Sequence, residues 1–387
     1  MRSALLALFT AAIALGSAAV GWATEQDQVE AIRQDKPTDV PAPFVAAVKR
    51  IDELRGQIEF ADGKLVEVDL SSDRVSVADD DLHHLAALPN LRRLRLTSSG
   101  MTTKGIEQIS GLAGLTELAI LQAQIDAAGL KQLARLSRIT SLTIQRSAVL
   151  DNTAVPHLAL FPKLTHLALI EANLTDAGVE QIVRTLPNLR LFDVRGCGLT
   201  TNAGFARLPA LKQLRVLRVG GAQVNDQTLA IVGKMTWLTG LTVQEAAITN
   251  AGLGQIARLP LEDITLFRCY SVDDEGLAHL AGMKKLRQAT LRDLPITGTG
   301  LVHLADKEGL VALRLSETGI DDAALVHLVK LRNLRRLDLH QTRVGDAGLA
   351  SLAGLTALEQ LDLSQTAVTT DGLKQLAAAL PRCRIAK

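Results

Sequence analysis

The pattern L-x-x-L-x-L returns along this chain every 23 to 26 residues, beginning at Leu65, Leu91, Leu115, Ile139, Leu164, Leu189, Leu214, Leu238, Leu261, Leu286, Leu310, Leu334 and Leu358. A fixed period of this length marks a chain built by stacking one small unit. The two clearest of the thirteen copies, Leu334 to Ala357 and Leu164 to Asn188, switch from an apolar period of two to one near 3.6, so each predicts a short strand followed by a helix. In Leu337-Asp338-Leu339 the leucines share one side of the strand and Asp338 takes the other, while the apolar residues of 347–353 gather on one helical face. One copy cannot hide both faces from water, so it packs between neighbours, and the strands align into a parallel sheet backed by helices. Strands sit about 4.8 Å apart and helices 8–10 Å apart, which makes the sheet the shorter, concave side of an arc. The expected class is an α/β solenoid of about thirteen units.

Composition agrees with one repeated aliphatic core. Of 387 residues 47% are hydrophobic and 21% charged, which is globular rather than disordered, yet only 3% are aromatic. The 42 Lys and Arg nearly cancel the 41 Asp and Glu. Arg2 is the one basic residue among the first 23, so without that stretch the balance is 41 − 41 = 0. With no net charge and no aromatic interleaving of basic residues, nucleic acid is excluded as an expected partner. The first 23 residues read as an address: Arg2, an apolar run Ala4 to Val20, and the small-x-small exit Gly21-Trp22-Ala23 form a signal-peptide pattern. Cleavage there leaves an exported chain, periplasmic or extracellular, with no membrane span; the rival reading is an uncleaved anchor.

The remaining organisation follows. Residues 24–64 carry an N-terminal cap: a short polar helix over 25–35, a linker marked by Pro37, Pro41 and Pro43, an amphipathic helix from Phe44 to Leu54, and a hairpin turning at Asp62-Gly63 into the first copy. The repeats occupy 65–380, and residues 381–387 resemble a fourteenth strand that stops, a C-terminal cap. Aligning the copies puts Thr102, Asp126, Thr175, Asn225, Thr249, Asp273, Thr297, Asp321 and Thr369 in one column as helix N-caps. The acids Asp176, Asp226, Asp274, Asp322 and Asp346 follow them and suit the positive end of the helix dipole. Their repetition favours this role over metal or phosphate binding.

The motif L-x-x-L-x-L-x-x-[TCSA]-x-[VIL]-[TDN]-[DNT]-x-G-[LIV] resembles leucine-rich repeats of the ribonuclease-inhibitor-like, cysteine-containing group, found in F-box-associated proteins and in secreted or envelope proteins of bacteria. The resemblance covers Leu65 to Leu380 and implies a horseshoe-shaped protein-binding scaffold with no shared reaction. Where many such repeats keep an Asn ladder, this chain has Ser99, Ala123, Ala172, Cys197, Ala222, Cys269, Thr318, Thr342 and Thr366.

Nothing in the sequence demands catalysis, a cofactor or a metal. Cys197 and Cys269 occupy equivalent positions three copies apart, about 14 Å at the strand spacing, beyond disulfide reach, and Cys383 lies further on. His279, His303 and His327 form a convex column at helix spacing, too wide for one ion to bridge. His166 and His340 face the concave side seven copies apart, with no Ser or Cys nucleophile placed beside either by the spacing. No Walker loop, GxSxG elbow or HExxH occurs, and Gly196 and Gly220-Gly221 read as tight turns after strands.

The concave face is where function is expected. An in-register sheet would align Asp69, Arg95, Ala119, Thr143, Ala168, Asp193, Arg218, Thr242, Thr265, Thr290, Arg314, Asp338 and Asp362 in one column. Around it, Arg190, Arg195, Arg215 and Arg218 cluster with Asp193 on copies six and seven; Arg287, Arg292 and Arg314 form a second group on copies ten and eleven; Phe267 and Arg268 lie between. Exposed aromatic and guanidinium groups are enriched in binding hot spots. Arg336 is expected to offset Asp338 and Asp362. The functional expectation is an exported, monomeric, non-catalytic scaffold that receives an acidic or mixed-charge protein or peptide on copies six to eleven. The alternatives are a structural envelope component and an adaptor similar to F-box-associated proteins.

Overall fold

The computed structural model describes residues 24–36, 38–72 and 76–387. The signal-peptide reading of residues 1–23 and the Pro37 linker mark lie outside these. One sheet of fifteen strands runs through the molecule in chain order. Its strands are β1 (Gln57–Ala61), β2 (Lys64–Leu70), β3 (Arg93–Thr97), β4 (Glu117–Leu121), β5 (Ser141–Gln145), β6 (His166–Ile170), β7 (Leu191–Asp193), β8 (Val216–Gly220), β9 (Gly240–Gln244), β10 (Asp263–Phe267), β11 (Gln288–Arg292), β12 (Ala312–Arg314), β13 (Arg336–Asp338), β14 (Gln360–Asp362) and β15 (Arg384–Ala386). All neighbours pair in parallel except β1 and β2, which form an antiparallel hairpin whose turn residues Asp62 and Gly63 both have positive φ. A two-residue turn can only join antiparallel strands, so this hairpin is set apart from the parallel pairing of the copies.

The apolar residues of every copy join one core extending from Val29 to Leu380. At one end α1 (Glu25–Arg33) and α2 (Ala42–Glu53) bury Val29, Ile32, Phe44, Val48 and Ile51 against it. Glu25 accepts from the Leu65 amide at 2.7 Å and from the Asn90 side chain at 2.6 Å, tying α1 to the first copy. The convex side departs from uniform α-helix: Val155–Leu160, Gly276–Gly282, Thr299–Leu304 and Ala323–Leu328 are 3₁₀ helices. The 3₁₀ form rises about 2.0 Å per residue rather than 1.5 Å, so fewer residues cover a given length.

The acids after the N-caps do more than suit a dipole. Asp226 accepts from the Thr249 amide at 2.8 Å and its hydroxyl at 2.7 Å, one copy further on. Asp176 holds Thr201 in the same way, Asp274 holds Thr297, and Asp346 holds Thr369. Asp79 receives the amide and hydroxyl of Thr102, Asp322 accepts from the Gly345 amide, and Asn152 and Asn250 serve with amide side chains. These bonds form a polar ladder between copies, and they explain the glycine of the repeat motif. A Cβ on Gly252 would lie 2.1 Å from Asp226 Oδ1; on Gly178 it would lie 2.1 Å from Asn152 Oδ1, and on Gly372 2.1 Å from Asp346 Oδ1. Burial pushes the Asp274 carboxyl up, but the amides of Thr297, Gly298 and Gly300 with the Thr297 hydroxyl more than offset this and leave it below its ordinary range. Of the expected caps, Thr102, Asp126, Asn225, Thr249 and Thr369 accept from their own first turn. Thr175 makes no such bond, and Thr297 lies one residue before Gly298, the cap of its 3₁₀ helix; the hydroxyls of both bond the copy before, as those of Thr102, Thr249 and Thr369 also do. Thr201, absent from the expected column, is a cap.

The small-residue column is satisfied from within. Thr318 and Thr342 donate to carbonyls three residues back, and Cys197 Sγ donates to Leu169 O. Burial raises the thiols of Cys197 and Cys269 to about 11, whereas Cys383 is only partly buried. An aromatic-disulfide reagent at pH 8 should therefore titrate Cys383 in the folded protein and all three thiols in denaturant; rapid labelling of Cys197 or Cys269 without denaturant would contradict this packing.

Candidate binding surface on the concave face

Strand pairing runs from Asp69 through Arg95, Ala119, Thr143, Ala168, Asp193, Arg218, Thr242, Thr265, Thr290 and Arg314 to Asp338 and Asp362 in unbroken register. A second concave column lies two residues on, and a third line of residues marks where each strand bends away. Along that bend Gln122, Arg146, Glu171, Glu245, Arg268, Asp293, Glu317, Gln341 and Gln365 all have φ between 50° and 63°, with Gly196 and Gly221 in the sixth and seventh copies. The left-handed turn costs a non-glycine residue roughly 1 kcal/mol. It aims each amide at the next copy: Gln122 N donates to Gln145 O at 2.8 Å and Glu245 N to Phe267 O at 2.8 Å, so pairing continues past the strand ends.

The arginines chosen from sequence do not form one basic patch. Asp193 is fully buried beneath Arg195, whose guanidinium contacts it at 2.8 Å, and beneath Arg218 at 3.7 Å. Arg195 also reaches Gln244 two copies away, at 2.9 Å, across Gly220. Arg190 and Arg215 sit ahead of their strands, exposed, and Arg215 folds back onto the carbonyls of Lys212 and Leu214. The second group is likewise dispersed. Arg292 pairs with Glu317 at 2.6 Å, Arg268 pairs with Asp293 at 3.0 Å and Glu245 at 3.3 Å, and both guanidiniums stack on Phe267, 4.7 and 4.9 Å from the ring centre. Arg287 and Arg314 are exposed and make no ion pair among the described residues. Arg336 makes no direct ion pair with Asp338 or Asp362, which accept from His340 N and Ser364 N; all three line one cavity of about 350 Å³ with Arg314 and Arg384.

Three features escaped the sequence reading. Tyr270, 64% exposed, hydrogen-bonds Asp293 beside the Phe267 cluster. Where Gly196, Gly220 and Gly221 remove side chains from two concave lines, a cavity of about 320 Å³ opens between Arg146, Glu171 and Glu245. His340 does have a hydroxyl beside it, since Ser364 Oγ lies 2.8 Å from His340 Nδ1. Equivalent positions of successive copies are strand neighbours, which spacing along the chain does not reveal. Ser364 Oγ also contacts Asp362, so the hydroxyl sits between carboxylate and imidazole rather than at the end of a Ser-His-Asp chain. Among the described residues no three His, Cys, Asp or Glu side chains are placed to share a metal ion, and no helix is long and apolar enough to cross a membrane.

The family model described as leucine rich repeat matches residues 330–353. A search of curated proteins gave no match. Among solved structures, the Rad7 and Elc1 complex of yeast aligns at a TM-score of 0.51 with 19% identity, covering 80% of this chain and 83% of that one. An internalin of Listeria monocytogenes aligns at 0.48 with 19% identity, covering 90% and 98%. A leucine-rich-repeat protein of Leptospira interrogans aligns at 0.39 with 14% identity, covering 82% and 95%. The family-model match, the alignment with the yeast structure and the sheet in strict chain order place the chain in the leucine-rich-repeat fold.

Proposed function

We propose that this chain is an exported, non-catalytic scaffold, of the ribonuclease-inhibitor-like repeat group, that recognises a protein or peptide through the concave face of copies six to eleven. The observation that carries the reading is the Phe267 ring held between Arg268 and Arg292, with Tyr270 beside it, on a face otherwise lined by half-exposed polar side chains. Rigid aromatic and guanidinium groups present large contact area at little entropic cost, the character of interface hot spots. The solved yeast neighbour is itself a complex of two proteins.

The test uses Arg190, Arg215, Arg287 and Arg314, because reversing Arg195 or Arg218 would abandon the buried Asp193. With these four changed to Glu, recovery of native envelope partners on the immobilised protein should fall at least about tenfold with the melting temperature held. Equal recovery would remove the concave face as the binding surface.

A further inference from the structure

Asp263 stands apart from the other buried and half-buried carboxylates of the concave strands. Glu67, Asp69 and Asp193 pair with arginines, and Asp338 and Asp362 accept from their own turns. Asp263 is half-buried, and its carboxylate has no hydrogen bond or ion pair among the described residues. On one flank its strand neighbour is Gly240, which leaves that side open; on the other it is Gln288. Burial raises its pKa, and the nearby charges of Arg218 and Arg314 pull against that rise. Neither arginine contacts the carboxylate directly, so part of its desolvation stays uncompensated.

The bed around it is equally unengaged. Thr242, Thr265 and Thr290 lie side by side in register, half-exposed, and their hydroxyls make no hydrogen bond among the described residues. Arg218 and Arg314 close the two ends of this row. Each arginine is two strand spacings from the copy that carries Asp263, about 9.6 Å, which three residues of an extended chain span.

We infer that copies seven to eleven bind an extended, mixed-charge protein segment crossing the strands, with a lysine or arginine seated on Asp263 and an acidic residue three positions to either side on Arg218 and Arg314. The threonine hydroxyls between them meet the backbone of the segment. This deepens the proposed function, on which it rests, by assigning the partner an acid-x-x-base-x-x-acid pattern.

A phage-displayed library of random 12-residue peptides, panned on the intact protein, tests the assignment. The wild type should enrich this charge pattern. A synthetic peptide from the enriched pool should lose about tenfold in affinity on Asp263→Asn, as expected for one charge-assisted contact, and a similar amount on Arg314→Glu. Its Lys→Glu version should prefer Asp263→Lys over the wild type. Because Asp263 is unpaired, Asp263→Asn should not lower the melting temperature, which separates lost binding from lost fold. Peptides without the central base, or with equal affinity for Asp263→Asn, would overturn the inference while sensitivity to Arg314→Glu kept the concave reading. Insensitivity to both variants would remove both.

Discussion

Replacing Gly252 with Ala should cost this protein roughly 2–3 kcal/mol, far above the several tenths that a glycine-to-alanine change usually returns in a helix. The added methyl would sit 2.1 Å from Asp226 Oδ1 and 2.7 Å from its Cγ, and the carboxylate cannot withdraw without releasing both its bonds to Thr249. Asp226→Ala should cost about 2 kcal/mol by leaving the Thr249 amide without its charged partner. Asp226→Asn should be mild, since Asn152 and Asn250 already occupy other rungs. The decisive quantity is the double variant: with the carboxylate gone, the Gly252→Ala methyl enters vacated space, so the two costs should fall short of additivity by more than 1 kcal/mol. Urea unfolding of the four proteins gives the coupling directly, and additive costs would show that glycine and aspartate do not share that space.

Phe192→Ala is expected to be the most damaging single truncation in the sheet, at about 3–5 kcal/mol. The ring is completely buried and stands where the paired positions on both sides are Leu167 and Leu217. The sixth copy has a four-residue α-helix, Asn202–Phe205, whose Phe205 is also completely buried, so two rings fill the core of this one copy. Because each copy touches mainly its neighbours, the damage should be local. Hydrogen exchange should accelerate across copies five to seven and change little in copies one and two; uniform acceleration along the chain would argue for a single undivided cooperative unit.

The main column was legible in advance for a simple reason. Strand side chains alternate with a period of two, and the copies differ in length by only a few residues, so Asp69 through Asp362 could be aligned without coordinates. Contacts between copies were not legible in the same way. The Asp226–Thr249–Gly252 arrangement joins three residues that each look like an ordinary helix-start signal when read locally. Nor does sequence specify where a long guanidinium turns. Arg195 passes over Gly220 to Gln244, while Arg336 makes no direct ion pair with the carboxylate two residues away, which is already engaged by His340 N. Of the arginines read from composition, Arg195, Arg218, Arg268 and Arg292 enter internal ion pairs while Arg287 and Arg314 stay unpaired, and among them the half-buried Asp263 has no direct partner.

Deleting residues 338–361 tests the stacking account most directly. The deletion removes one whole unit in phase, joins Leu337 to Asp362, and brings Asp322 against Thr369, the same pairing of types that Asp346 and Thr369 make now. Deleting residues 338–349 removes half a unit and throws every later leucine out of register. The account predicts that the first protein keeps one cooperative thermal transition within a few degrees of the parent while the second loses the transition of its C-terminal copies. Equal loss in both would contradict a fold in which each copy is an interchangeable layer between its neighbours.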